Sequence, residues 1–529
     1  MQITFLKRFS NIFLSLGGGL LLWAAWPVSP LTLLVFVAWI PLLFLEERIA
    51  SNRRFFGYAY ITLLTWNICS TWWVWNASLP GALGAFFANS LLMCFPWLGY
   101  KIVRKRLGGP VGYLSLVVFW LCFEYIHLQD WGLSWPWLTL GNVFASHPQW
   151  VQWYSVTGVS GGSLWIMLVN VFLFLHLKNN FTRSGNKTYK QLGVGIAVLI
   201  LPVLLSAIMP PYRSAASQKN IVVVQPDIDP YEKISAGTFE TQLKILITAS
   251  EKEVDNNTAL LVWPETALFD ESGLEETKLK EYGFLQPLWA FLQRHPQLRL
   301  FTGIESFREF DARKSSTARP MEGNRFYEAY NGSVLLDSSG TLAFYHKSML
   351  VPGVETLPWF LKFIDSWFEK FGGTTAGYAK QKERTVLNDG RDGYKIAPAI
   401  CYESIYGEFM SRYIRNGATI ICIITNDGWW QDTPGYKQHM NYARLRAIET
   451  RKWIARSANT GVSCFIDPNG TVIDPQPWNT RSAIKLEMPA NTEQTFYVRF
   501  GDLLFKAATA VSLVLIIMTI IQWRKNRSI

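Results

Sequence analysis

Hydrophobic and polar positions divide the 529-residue chain into three stretches. Residues 9–209 hold long apolar runs separated by short connections, residues 210–500 alternate short apolar and mixed segments as a globular domain does, and residues 503–523 are apolar again. Runs near 9–26, 31–45, 57–77, 82–100, 111–127, 161–177, 192–209 and 504–523 approach the ~20 residues that cross hydrocarbon. The pattern predicts a transmembrane domain over 1–209 with about seven helices, an extramembrane domain over 210–502, and a final span with a short basic tail over 503–529.

Within the extramembrane stretch the period changes. Ile221–Gln225, Ala259–Trp263, Leu298–Thr302, Val334–Asp337, Lys395–Ile400 and Thr419–Ile424 read as strands, and residues 237–254, 404–415 and 437–453 as helices. Asp337-Ser-Ser-Gly340 and Asp467-Pro-Asn-Gly470 read as hairpin-like turns, and the polar stretch Arg308–Arg325 as a surface loop. The strands are mostly unbroken apolar runs. Sheets made of them must be covered on both faces, which calls for an α/β domain in layers with helices outside.

The charge pattern orients the chain. Lys and Arg number 50 against 39 acidic residues, a net +11. The basic residues gather at Lys7 and Arg8, at Arg48, Arg53 and Arg54, at Lys101–Arg106, at Lys178–Lys190 and at Arg524–Arg527, which are alternate connections plus both termini. The connections around 27–30, 78–81 and 128–160 have no Lys or Arg. By the positive-inside rule both ends are cytoplasmic, the span count is even and the large domain lies outside. Lys7-Arg8 before an apolar core also fits a cleaved signal peptide, which would leave an odd count with the same sidedness. Basic residues clustered at membrane edges, rather than along one groove, argue against nucleic acid as a partner.

Cys69, Cys94 and Cys122 fall in predicted spans and Cys422 and Cys464 in strands, where Cys is a small buried hydrophobe. Cys401 is different: it follows an apolar strand and precedes a helix, in Ile-Cys-Tyr-Glu-Ser. Trp263-Pro-Glu265 and Tyr345-His-Lys347 also sit where strands give way to loops. A thiol, a carboxylate that accepts its proton and an ammonium that favours thiolate and oxyanion form a covalent acyl-transfer set. Taken singly, each residue reads as an ordinary loop or core group, so the assignment needs all three. His346 and His439 read as structural or substrate-contacting, with a Cys-His mechanism the lesser alternative. There is no CxxC, HExxH, Walker or GxGxxG pattern, so neither metal, nucleotide nor other cofactor is expected. Two other readings stay open at this stage. One is an anchored amidase-like hydrolase using the same residues with water. The other is a transporter or receptor, although the spans carry few charges beyond Glu124 to make an ion path.

Trp263-Pro-Glu265, Tyr345-His-Lys347 and Cys401-Tyr402-Glu403 resemble the Glu-Lys-Cys triad of the nitrilase, or carbon-nitrogen hydrolase, superfamily. Tyr330-Asn331, Leu350-Val-Pro with Glu355, Asn426-Asp-Gly-Trp429-Trp, Gln438-His439, Arg446–Glu449, Ala458–Gly461, Ile466–Gly470, Arg499–Asp502 and Pro136–Leu138 resemble, more narrowly, the apolipoprotein N-acyltransferase family. The resemblance implies a nitrilase-like α-β-β-α sandwich on the periplasmic side of a bacterial inner membrane. It implies a phospholipid acyl donor, a Cys401 thioester, and the α-amino group of a diacylated apolipoprotein N-terminus as acceptor, in a monomeric enzyme. Glu265 is then the base, Lys347 the thiolate and oxyanion partner and Glu355 a second carboxylate, while Asn331, Tyr402, Glu403 and Trp429 match supporting positions. One departure stands out: Gly353-Val-Glu355-Thr replaces the family's usual Phe-Gly-Glu-Tyr.

Drawing an acyl chain of about sixteen carbons into water costs around 12 kcal/mol, so a lipid-using site must lie at membrane level. Phe360, Phe363, Trp367 and Phe371 recur at near-helical spacing in 358–371. That segment is expected to be a helix, either dipping into the interface as a lipid gate or packed on the domain core.

Overall fold

The computed structural model describes residues 2–181, 187–213, 219–231, 239–356 and 377–526, with backbone alone at 2–9, 181 and 187–189. The chain forms two compact units. One comprises Met1–Val74, Gly81–Pro210 and Phe500–Ile529, the other Trp75–Pro80 and Pro211–Arg499.

The first unit is helical, with α1 (Gln2–Ala25), α2 (Ile40–Arg48), α3 (Asn52–Thr71), α4 (Leu79–Leu107), α5 (Gly109–His127), α6 (Val159–Phe181), α7 (Lys187–Ile208) and the last helix Leu503–Lys525. Five helices among the described residues are long and apolar enough to cross a membrane, and Ser10–Ala25 is a shorter apolar one. Gly19 lets α1 and α3 touch: a Cβ there would stand 2.5 Å from the Thr62 carbonyl and 2.7 Å from Thr65 Cβ. Trp39 anchors the interior, packed 5.8, 5.2 and 4.9 Å from Trp66, Trp97 and Trp120.

The predicted span at 31–45 is broken. Thr32–Phe36 is a 3-10 turn, and the helix restarts only at Ile40. Asn170 of α6 repairs the break by donating to the Val35 carbonyl at 2.9 Å and accepting from Trp39 N–H at 2.9 Å. Irregular backbone at this depth is tolerable because protein groups satisfy it.

The second unit packs two sheets between helices. The first sheet runs β13-β1-β2-β4-β6-β5, with β3 beside β4 and β7 beside β6; the second runs β12-β11-β10-β9-β8. Its strands are β1 (Asn220–Gln225), β2 (Thr258–Val262), β3 (Leu274–Glu275), β4 (Arg299–Phe310), β5 (Arg319–Pro320), β6 (Phe326–Asp337), β7 (Gly340–His346), β8 (Ile396–Ile400), β9 (Ile420–Thr425), β10 (Ile454–Ala458), β11 (Cys464–Ile466), β12 (Val472–Ile473) and β13 (Ser482–Glu487). β1, β2, β8, β9 and β10 are buried at every position, which explains the apolar runs of β1, β2, β8 and β9, whereas β10 carries the buried polar residues Arg456 and Ser457. α8 (Phe239–Glu251) and α9 (Gln286–Arg294) cover the first sheet, Leu243, Leu246, Leu288 and Leu292 joining Val222, Leu261 and Leu300 in one core. α10 (Gly407–Arg415) and α11 (Pro434–Thr450) accompany the second sheet. Ser457 Oγ donates to the Val224 carbonyl at 2.7 Å, tying the sheets together. The domain is the expected nitrilase-like sandwich.

Both predicted hairpins form, β6–β7 and β11–β12. Arg308–Arg325 is not simply a loop. β4 and β6 stay paired out to Phe310 and Phe326, and β5 lies within the stretch. Its polar composition reflects a ribbon that runs beyond the core with exposed faces.

Candidate active site

The site lies past the carboxyl ends of parallel strands, where ligands bind in open α/β sheets. Glu265 follows β2, Lys347 follows β7, Cys401 follows β8, and Asn426 and Asp427 follow β9. Pairing of β6 with β7 sets the first neighbours. Lys347 N–H donates to the Asn331 carbonyl at 2.9 Å, which places the Lys347 side chain beside that of Asn331.

Lys347 is buried and shared between two carboxylates, with Nζ 3.2 Å from Glu265 Oε1 and 2.8 Å from Glu355 Oε1. Asn331 Nδ2 donates to the same two oxygens, at 2.9 Å each. Asn426 N–H donates to Glu265 Oε2 at 3.1 Å, and Val351 N–H to Glu355 Oε2 at 2.8 Å. Both carboxylates are therefore held by donors on each oxygen. Burial alone would depress the Lys347 pKa, but Glu265, Glu355 and Cys401 outweigh it and hold the ammonium well above its usual range.

Gly303 of β4 makes room for the Glu265 loop. A Cβ there would stand 2.5 Å from Thr266 N and 2.6 Å from Glu265 Cα, and Gly303 N–H donates to the Pro264 carbonyl at 3.1 Å.

Cys401 takes φ 51° at the turn from β8 into the 3-10 helix Cys401–Ile405, a left-handed conformation that presents the residue at a sharp corner. Burial pushes its thiol well above the usual value, Glu265 and Asp427 add to that, and Lys347 and a hydrogen bond with Thr425 oppose it. The resting group is a neutral thiol within electrostatic reach of both Glu265 and Lys347.

Glu403 joins the Cys401 turn to the Lys347 loop. Its Oε1 accepts from Tyr345 OH at 2.7 Å, Ser348 N–H at 2.6 Å and Met349 N–H at 3.2 Å, and its Oε2 accepts from Ile400 N–H at 2.9 Å. Burial raises its pKa, and these donors oppose the rise. Tyr402 is buried against Tyr406, ring centroids 5.4 Å apart, while Trp429 is largely exposed and packs on Tyr231 at 5.3 Å. Phe360, Phe363 and Trp367, and the gate expected of 358–371, lie outside the described residues.

Beneath Cys401 runs a polar network whose composition was legible but whose assembly was not. Asp427, His439 and Arg456 are fully buried. Asp427 Oδ1 lies 2.9 Å from His439 Nδ1 and accepts from Thr425 at 2.7 Å, and Asp427 Oδ2 accepts from Arg456 at 2.6 Å. His439 Nε2 lies 2.9 Å from Ser404 Oγ and 3.1 Å from the Cys401 carbonyl, which also accepts from Ser404 Oγ at 2.8 Å. Burial raises the Asp427 pKa, but Arg456 and His439 prevail and bring it down to about 2. The Asn426-Asp-Gly and Gln438-His439 motifs were the available signal; the contact with Arg456 of β10 had none.

Donor atoms of Cys401, Asp427 and His439 lie within 4.8 Å of one another. The chemistry does not suit a cation: both Asp427 oxygens and both ring nitrogens of His439 are engaged, and the Arg456 guanidinium takes the place a cation would need. His346 is also engaged, stacked 3.8 Å from Tyr330 and 2.6 Å from Glu276 Oε1.

Asn76 and Ser78, in the Trp75–Pro80 segment of this unit, touch loops of the site. Asn76 Nδ2 donates to the Trp430 carbonyl at 3.2 Å, Ser78 Oγ to the Gly353 carbonyl at 2.9 Å, and Tyr231 OH bridges the Asn76 and Trp429 carbonyls at 2.8 and 2.7 Å.

Comparison with known proteins matches residues 220–496 to the carbon-nitrogen hydrolase family and residues 18–172 to the apolipoprotein N-acyltransferase N-terminal domain. An apolipoprotein N-acyltransferase of Chlorobaculum tepidum is 31% identical over 532 residues, 97% of this chain and 97% of the relative. That of Rickettsia prowazekii is 30% identical, over 85% of this chain and 83% of the relative. That of Thermotoga maritima is 26% identical, over 98% and 96%.

Proposed function

The chain belongs to the apolipoprotein N-acyltransferase family, with a carbon-nitrogen hydrolase catalytic domain, and on that premise we propose a two-step acyl exchange at Cys401. The activity is N-acylation of lipoproteins by a multipass bacterial membrane protein. The acyl donor in this reading is a membrane phospholipid, the acceptor a diacylated apolipoprotein N-terminus, and the catalytic unit faces the periplasm.

In the first half-reaction Glu265 takes the Cys401 proton as sulfur attacks the donor ester carbonyl. Lys347 and the Tyr402 backbone N–H stabilise the oxyanion. Collapse breaks the ester bond, Glu265 returns the proton to the leaving alkoxide, and a lysophospholipid departs. In the second, the acceptor amine attacks the thioester, Glu265 takes its proton, and collapse to the amide returns that proton to sulfur. Glu355 and Asn331 hold Lys347 and Glu265 in place, and Glu403 and His439 are positioning residues that hold the Cys401 turn.

The observation that carries this reading is the gathering of Glu265, Lys347 and the Cys401 thiol at one sheet edge, in a chain that aligns with N-acyltransferases over nearly all its length. The test is product analysis with acyl-labelled phospholipid and a diacylated lipopeptide. Equimolar lysophospholipid and N-acyl lipopeptide support transfer. Free fatty acid with no labelled peptide would instead identify a hydrolase.

A further inference from the structure

A cavity of about 860 Å³ in the membrane unit opens between α1, the end of α2 and the start of α3. Asn11, Arg48, Ser51, Arg53, Arg54 and Tyr58 line it. Neighbouring cations are already paired: Lys101 and Arg104 hold Glu46, and Arg104 and Lys178 hold Glu47. Arg48, Arg53 and Arg54 are exposed, and no carboxylate among the described residues lies within ion-pair distance of them. Three guanidinium groups thus face one basin with no ion-pair partner among the described residues.

A second cavity, about 420 Å³ and lined by apolar residues, follows the same helix past Phe13, Gly17, Leu20 and Trp23, with Pro41 of α2 opposite. The basin includes Asn11 and the groove Leu14, which are surface neighbours three positions apart on α1, so the two cavities adjoin at that edge. From Phe13 to Trp23 a helix rises about 15 Å, the depth of one leaflet of a ~30 Å hydrocarbon core. Guanidinium groups bind phosphate bidentately, and a basic basin between transmembrane helices suits an anionic headgroup.

We propose that the basin and groove together bind one anionic phospholipid, its phosphate at Arg48, Arg53 and Arg54 and one acyl chain along α1. All residues of the basin and groove belong to the membrane unit, and the lipid is proposed as a resident ligand.

Two glycines make the test robust to misfolding. Gly57 lines the basin and Gly17 the groove, and a Cβ at either meets nothing within 4 Å. Gly57→Leu and Gly17→Leu therefore fill each compartment at positions where Leu also favours the helix. The full-length wild type, R48Q/R53Q/R54Q and the two glycine variants would be delipidated and titrated with phosphatidylglycerol, phosphatidylcholine or inorganic phosphate, followed by native mass spectrometry and thermal melting. The expected result is phosphatidylglycerol binding about 100-fold weaker in the triple variant and about tenfold weaker in each glycine variant, with phosphatidylcholine a poor substitute. Equal phosphatidylglycerol binding by wild type and all variants overturns the site. Protection by inorganic phosphate as strong as by lipid, with Gly17→Leu behaving as wild type, overturns the lipid assignment in favour of a free-phosphate site.

Discussion

Cys401 sits in a left-handed backbone conformation that a side-chain-bearing residue keeps only when its surroundings hold it, and Ser404 and His439 both contact its carbonyl. Because burial and the nearby carboxylates keep its thiol protonated, alkylation by iodoacetamide should accelerate steadily as pH rises through the neutral range. A reactivity plateau at neutral pH, read by peptide mass spectrometry, would reveal a resting thiolate and contradict this. Lys347→Met should cost about 100 to 1000-fold in kcat by removing an oxyanion donor. Asp427 makes a different prediction. Its folded pKa of about 2 lies below the ordinary 3.8, so it contributes stability above pH 3.8 that is lost as pH falls through 2. The linked contribution is about 2 kcal/mol. The stability gap between wild type and Asp427→Asn should therefore narrow on acidification across that window, as followed by denaturant unfolding. A constant gap would show that the Asp427 charge does not carry it.

At the scale of elements, the loop after β2 reaches the site because Gly303 has no side chain. Gly303→Ala should displace Glu265 and lower kcat at least about tenfold while costing on the order of 1–3 kcal/mol from overpacking. An unchanged kcat would mean that the loop relaxes freely. Strands such as β8 and β9 were legible because burial on both faces leaves an unbroken apolar run. The interruption near Val37 was not, because the group that makes it tolerable, Asn170, stands 135 residues from Val35 in the chain. Asn170→Leu should lower the melting temperature, since it orphans a buried carbonyl and N–H at about 1–3 kcal/mol each. Glu403 was visible as a motif position. Its role was not, because its four donors come from the ends of β7 and β8 and the loop after β7, which only the folded sheets bring together.

For the whole molecule, a membrane unit rich in apolar helices and a catalytic unit with a half-buried thiol occur in one chain. A sixteen-carbon acyl chain costs around 12 kcal/mol to expose to water, so this pairing favours a substrate that never leaves the bilayer. The central claim is that Cys401 carries the acyl group between donor and acceptor. Intact-protein mass spectrometry of wild type and Cys401→Ala, each incubated with one defined phospholipid and no acceptor, tests it most directly. The account predicts a single fatty-acyl mass increment on wild type alone, discharged when a diacylated lipopeptide is added. A folded wild type that releases lysophospholipid without an adduct, or a Cys401→Ala protein that still acquires one, would contradict it.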